Sequence, residues 1–451
     1  MNPILNTISF FGIFALCFIA WLGSEDKKRI PWKLMFWGIG IQLLLGFFIF
    51  IFPITREAIV VANDVLNLLL DASESGARFL FGDAMVPVKE KARADVPNMG
   101  FVFAMRSLPQ VVFFSALVTL AYRLNIIQPV VRLFARFFSR TLKISGAESL
   151  SGAANIFVGI ESVVSIRPYL EKMTRSEICA ILASCFGSIS STVLGFYASI
   201  LKPSFPNITG HLVASSILTI PACFVIAKIL VPETGVPETM GKIPEEEKSE
   251  EEKKMSPMDA LIKGAIDGVQ IAMGIAAVLV AILGIVAFIN LIFAKLALFE
   301  KSPNVLVHGI GVIFSYLTLD NIFAFLFFPL TFLTGVSLDF QELWQASSII
   351  GSRLLQTSIP GFNALHALSS AGKITDRSLL IVSYVLSGFA HLASVGIFVG
   401  GMTNLVPSRS RDISSLAFKA LWAATLATVM TGCIAGLFDT GHPSILGKIA
   451  R

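Results

Sequence analysis

Between Asn155 and Pro168 the chain reads NIFVGIESVVSIRP, which sets a carboxylate, two serines and an arginine inside a strongly apolar stretch. A charge at the centre of an apolar layer costs about 2.5–3.5 kcal/mol on insertion scales, so Glu161 needs a partner, such as Arg167 or helix N-terminal amides, or a wet cavity. Other polar residues share this setting: Ser188, Ser190 and Ser191 in GSISS, Arg353 in GSRLLQTSIPG, and His391 and Ser394 in GFAHLAS. A hard cation takes several oxygen ligands, and an Asn side chain, unwound carbonyls and hydroxyls supply them. A carboxylate or an imidazole at membrane depth can instead carry a proton. Each residue also has a plain structural use. The serines would bond the preceding helical turn, His391 would join two helices, Arg353 would snorkel or pair with an acid, and Asp320 and Asn321 would cap a short helix.

The elements that must hold these residues follow from composition. The chain has 451 residues, of which 55% are hydrophobic and 14% charged, and its apolar runs repeatedly approach the roughly 20 residues that span a bilayer. This is a polytopic, all-α membrane protein. Spans are expected near 8–22, 34–53, 101–121, 178–201, 211–231, 261–294, 379–405 and 415–438, the first retained rather than cleaved. The loop EDKKRIPWK, the stretch holding Arg123, Arg132, Arg136, Arg140 and Lys143, and the loop SRSRD carry the excess of Lys and Arg that marks the cytoplasmic side. Both termini then lie outside, and residues 54–100 form an external segment with an amphipathic interfacial helix. The run EEEKSEEEKK (245–254) is too charged to bury anything and reads as a solvated linker. All five cysteines lie in apolar segments without a C-x-x-C pair, so they read as small buried hydrophobes. Basic residues confined to short loops argue against nucleic-acid binding. Neither a G-x-S-x-G elbow nor an H-E-x-x-H motif occurs, which argues against an enzyme.

Two regions, 146–176 and 340–377, are apolar yet interrupted by Gly, Pro, Ser, Asn and charge, at similar places in the two halves. Such pairs point to re-entrant hairpins around a midplane site, because non-helical backbone survives at membrane depth only beside protein or water.

The runs FAMRSLPQVVFFSALVTLAYRLNIIQPVVRLFARF, GAANIFVGIES, IRPYLEKMTRSE, GSISSTVLGFYAS and GFAHLASVGIFVGG occur in this order along nearly the whole chain. In order and spacing they resemble the concentrative nucleoside transporter family. The resemblance implies a homotrimer in the bacterial inner membrane, with a scaffold and a mobile transport domain in each protomer. It also implies two opposed hairpins, at 146–176 and 340–377, and nucleoside import driven by a cation gradient through an elevator-type movement. The implied division is scaffold at 1–145, first hairpin and spans four and five at 146–232, charged linker at 233–257, scaffold span six at 258–300, and second hairpin and spans seven and eight at 301–451.

The resemblance also implies site residues. The family's G-Q-[ST]-E becomes Gly159, Ile160, Glu161 and Ser162; its N-E-F-V-A becomes Thr357, Ser358, Ile359, Pro360 and Gly361; and its F-A-N-F-S-S becomes Phe389, Ala390, His391, Leu392, Ala393 and Ser394. Gly159, Glu161, Ser162, Thr357, Ser358, His391 and Ser394 are therefore the expected solute contacts. The lost second-hairpin carboxylate and the Asn-to-His change imply a rebuilt ribose end. Asn155, Val158, Ser188, Ser190 and Ser191 fall where the family holds sodium. Sodium is the implied coupling ion, protons at Glu161 or His391 the alternative, and no further cofactor is expected.

Overall fold

The computed structural model describes residues 2–86, 102–159, 161–164, 166–244 and 255–448, and every regular element among them is helical. Besides short helical turns, these are, in chain order, α1 (Pro3–Leu22), α2 (Trp32–Phe50), α3 (Pro53–Phe81), α4 (Leu108–Arg123), α5 (Gln128–Leu142), α6 (Gly146–Ala154), α7 (Glu161–Val164), α8 (Arg175–Gly187), α9 (Ser191–Leu201), α10 (Ile208–Leu230), α11 (Pro257–Ala297), α12 (Val305–Tyr316), α13 (Leu319–Leu333), α14 (Phe340–Gln356), α15 (Ser358–Ser370), α16 (Asp376–Leu386), α17 (Leu392–Leu405) and α18 (Ser410–Phe438). Among the described residues α1, α2, α4, α10, α11 and α18 are long and apolar enough to cross a membrane, α4 and α18 with the turn before each. The linker run 245–254 and the last part of the expected external segment lie outside the described residues, while α3 supplies that segment's long helix.

Two expected spans are not continuous. The run 178–201 divides into α8 and α9 across an extended Ser188 and Ser190, and the run 379–405 divides into α16 and α17, with an extended His391 opening the second piece. Local chemistry accounts for the first break: Gly187 is a poor helix former, and the Ser188 hydroxyl turns back to the Ser184 carbonyl at 2.9 Å. A third interrupted pair, α12 and α13, is bent by 66° and fills a stretch to which the apolar-run count gives no span. Thr318, rather than Asp320, caps α13 by accepting from the Asn321 N–H at 3.1 Å. The Asp320 carboxylate instead accepts from Ser352 (2.7 Å) and Gln356 (3.1 Å) on α14.

The two expected hairpins are present and open toward opposite ends. The first, α6 and α7, starts from a capping box in which Ser145 and Glu148 satisfy each other's backbone donors. The buried Glu148 also pairs with Lys228 of α10 at 2.7 Å, and Lys228 with Glu233 at 3.0 Å. At this same end Glu25, in the loop after α1, meets Arg175 (3.2 Å) and Lys419, and Arg409 donates to the Met173 carbonyl at 2.9 Å. The second hairpin, α14 and α15, closes at the other end, where Glu342 accepts from the Thr375 N–H at 2.6 Å. There the Arg377 guanidinium reaches Asn6 (2.8 Å) and Ser9 (3.2 Å) of α1, Asp439 (3.2 Å), and the carbonyls of Gly335 (2.7 Å) and Gly436 (2.9 Å). Both chain ends therefore lie opposite the basic loops.

The centre is α10, nearly all of whose residues are buried, together with α18, which is buried throughout from Ala423 to Gly436. The helices α1 and α2 pack on α10 and α18, whereas α4 packs chiefly along α11. Most of the apolar surface of α11 is left uncovered by the chain.

Candidate functional site

The first hairpin ends in the turn Asn155–Gly159, and the buried Asn155 side chain organises it. One end of its amide sits 3.2 Å from the Val158 carbonyl, 2.9 Å from that of Gly159 and 3.1 Å from the Ser162 hydroxyl; the other sits 3.0 Å from the Ser184 hydroxyl of α8. With nitrogen on the first side, the two N–H groups are shared among the three acceptors and the amide oxygen faces the Ser184 hydroxyl. With oxygen there, four oxygens converge and only the Ser162 hydroxyl brings a proton, an arrangement a hard cation can bridge. Which way an amide points is decided by what surrounds it. One turn further along α8, Ser188 is buried and its hydroxyl is used on Ser184, the plain structural use. Ser190 caps α9 through its carbonyl, which accepts from Val193 (3.1 Å) and Leu194 (3.0 Å). The side chains of Glu161 and Ser191 lie outside the described residues, and Arg167 is exposed.

The second hairpin turns on a single residue. Thr357 ends α14 and begins α15 with φ +71° and ψ 174°, a region essentially reserved for glycine. That kink points α15 back along α14. Ser358 then donates to the Gly388 carbonyl, at 3.1 Å, inside the break between α16 and α17. His391 caps α17: its Nδ1 accepts from the Ser394 N–H at 3.1 Å, which fixes a neutral ring with the proton on Nε2. Ser394 spends its hydroxyl on the carbonyls of Phe389 and His391. Around them lie Tyr197 and Phe362, 4.7 Å between ring centroids, and Phe389, 6.1 Å from the His391 ring.

The two breaks touch. A Cβ on Gly388 would stand 2.5 Å from the Gly187 carbonyl oxygen and 2.8 Å from Thr428 of α18, so glycine alone permits the approach. Beside this crossing lies Arg353, 1% exposed, donating to the Val385 carbonyl and, at 3.1 Å, to the Thr428 hydroxyl. It neither snorkels nor meets an acid among the described residues.

The expected residues thus fall into two groups. Val158, Gly159 and Ser162 gather around one end of the Asn155 amide, whose other end meets Ser184, while Thr357, Ser358, His391 and Ser394 gather around Gly388. Of the expected set, Ser188, Ser358 and Ser394 all spend their hydroxyls on backbone carbonyls. Sequence reasoning missed Ser184 and Tyr197; Ser184 carried one signal, lying four residues before Ser188 on the same helical face. The alternating end-on helices are what solute and ion sites in transporters are built from: half-helix N-termini favour anionic groups, and unwound carbonyls favour cations.

Known proteins share this arrangement. Residues 211–436 match the family described as Na+ dependent nucleoside transporter C-terminus, residues 11–84 its N-terminus, and residues 104–204 one described as nucleoside recognition. An "Uncharacterized transporter" of Haemophilus influenzae is 34% identical over 95% of this chain and 97% of its own length. The "Solute carrier family 28 member 3" of Mus musculus is 32% identical over 96% of this chain, which spans 59% of that protein. Among solved structures, "CNTnw in an inward-facing substrate-bound state" is 32% identical with a TM-score of 0.83, over 96% of this chain and 98% of that one. A doubly substituted form of it in an outward-facing state is 32% identical with a TM-score of 0.82, over the same shares of both chains. With a family match across half its length and relatives above 30% identity across nearly all of it, the chain belongs to the concentrative, Na+-dependent nucleoside transporter family, whose members are membrane transporters and not enzymes.

Proposed function

We propose that this chain is a cation-coupled secondary active transporter that imports nucleosides or nucleoside-like solutes across the inner membrane by an elevator-type movement. Sodium is the coupling ion. The observation that carries this reading is the Asn155 amide set among the oxygens of Val158, Gly159, Ser162 and Ser184, where the first hairpin meets the end of α8. The solute occupies the space between the two hairpin tips, with Glu161 contacting the base and the His391 Nε2–H donating toward the altered ribose end. Ser358 and Ser394 act as positioning residues, since their hydroxyls hold the second break in shape. Protons are the alternative coupling ion, with Glu161 as carrier. His391 is unsuited to that role, because protonating Nδ1 would set two donors face to face at the start of α17.

The moving body comprises the hairpins with α8–α10 and α16–α18. The sequence division groups α1 and α2 with the scaffold; their packing on α10 and α18 favours the moving body, which leaves α4 and α11 as scaffold. The uncovered apolar residues of α11, among them Ile266, Met273, Val280 and Phe288, suit a homotrimer and the surrounding lipid. The basic end faces the cytoplasm and both termini face outside.

The test is a thermal-shift screen of purified protein against nucleosides, nucleobases, sugars and amino-acid derivatives, with and without sodium, since a ligand of the folded state raises stability by mass action. Stabilisation by nucleoside-class compounds that grows with sodium is expected. A response confined to another class, or one indifferent to sodium, would overturn the corresponding part. Glu161→Gln should abolish or re-specify uptake with thermal stability nearly unchanged. Normal uptake with marked destabilisation would make Glu161 a structural partner instead.

A further inference from the structure

Arg353 is the largest fully buried side chain among the described residues, and its charge is met by no carboxylate there. Its partners are a carbonyl from the last turn of α16 and a hydroxyl from α18, while its Nε stays buried without an acceptor. An isolated buried cation is expensive and persists only where something negative holds it. Here that something is the C-terminal end of α16, whose last carbonyls carry the negative pole of the helix. A carbonyl at an unwound helix end together with a threonine hydroxyl is also the donor set that a free alkali cation uses.

We propose that Arg353 is a resident cation: its guanidinium occupies, permanently and covalently tethered, the cation position offered by the Val385 carbonyl and the Thr428 hydroxyl at the second break. The first break, whose centre is the uncharged Asn155, is then the one left for a mobile ion. Two features speak against Arg353 as a ligand for an anionic solute. It is 1% exposed, and both of its amino groups are already used. What the charge does for transport rests on the function proposed above; whether the position needs a cation does not, because thermal stability reads it without any solute.

The experiment compares Arg353→Ala, Arg353→Lys and Arg353→Met in the full-length protein. Arg353→Ala should lower the melting temperature by roughly 5 °C or more. Low-millimolar guanidinium, far below the denaturing range, should then restore most of that loss while leaving the parent protein unmoved. Arg353→Lys should retain most of the stability, and Arg353→Met, of similar length without charge, should behave like the alanine variant. If Ala and Met cannot be purified but Lys can, the charge requirement stands. Lys failing alongside Met would mean that shape decides, and Met matching the parent would mean that the charge is dispensable; either overturns the proposal. So would variants that keep full stability and lose only the response to acidic nucleoside analogues, because Arg353 would then be a solute ligand. Loss of guanidinium rescue leaves the transport reading intact, and a failed ligand screen leaves the rescue result intact.

Discussion

The two halves of this transporter solve one problem twice, with different chemistry. Each brings a re-entrant hairpin from one end of the bundle to a helix broken at mid-length, and the breaks meet at Gly187 and Gly388. In the first half the centre is an amide, Asn155, that can serve its oxygen neighbours with nitrogen or join them with oxygen. In the second half the centre is a guanidinium, Arg353, that has no such alternative. The contrast teaches that pseudo-symmetry of backbone does not impose symmetry of charge. On the reading proposed above, unwound carbonyls attract positive charge in both halves, and one half has built it in while the other leaves it exchangeable.

The sharpest way to break this pairing is to force the crossing apart. Gly388→Ala places a methyl group against the Gly187 backbone, which cannot swing aside as a side chain would, so overpacking should cost about 3 kcal/mol and gradient-driven uptake should fail. Uptake near the parent level would show that the two breaks work independently. Next in size is Asn155→Ala, which strands buried acceptors and should cost about 2 kcal/mol. It should weaken sodium-dependent stabilisation and uptake together, since ion and solute affinities are linked reciprocally. Unchanged sodium dependence would move the cation site elsewhere.

Thr357→Gly sharpens the comparison at the hairpin tips. The first hairpin turns without a positive φ at a non-glycine residue among its described positions, whereas the second turns on a threonine at φ +71°. Relief of that strain, reduced by the added freedom of glycine in the unfolded chain, should stabilise the protein by roughly 1 kcal/mol. A lower melting temperature would show that the Thr357 hydroxyl matters more than the torsion.

The smallest effect is expected at Glu25, in the basic end that anchors the first half. Partial burial would raise this carboxyl, but Lys419 and Arg175 outweigh it and hold it below the usual carboxylate range. A carboxylate depressed in the folded state contributes stability above its unfolded pKa, near 4.3, and loses it as pH falls through the folded value. Melting temperature against pH should therefore drop more steeply below about pH 4 for the parent than for Glu25→Gln. At neutral pH the two should differ by about 0.5 kcal/mol, because the pair is largely exposed and screened. Parallel profiles would remove Glu25 from the pairing that closes this end.

How much of this was legible in the sequence differs between the hairpins and the breaks. The stretches 146–176 and 340–377 announce themselves because Pro, Gly and charge interrupt an apolar run over many residues. The breaks at 187–191 and 387–391 do not, since a few small residues inside a run of more than twenty barely lower its average apolarity. Asn155 was readable as an oxygen donor beside an unwound turn. Its partner Ser184 was not, because hydroxyls in membrane helices bond the preceding turn so often that one more carries little signal. Arg353 was visible as an anomaly, but its partners are 32 and 75 residues away, and one is a main-chain carbonyl that no residue letter encodes.

The Arg377 cluster has a consequence for how the protein is made. One guanidinium joins Asn6 and Ser9, near the start of the chain, to Asp439 and the Gly436 carbonyl near its end. During synthesis α1 must wait in the membrane, its amide and hydroxyl without these final partners, until the residues up to Asp439 have emerged from the ribosome. Closure of this end is therefore a late event that spans more than 430 residues. A nascent chain stalled before Asp439 would hold a buried, uncompensated arginine, a defect that membrane quality control could recognise as an unfinished molecule.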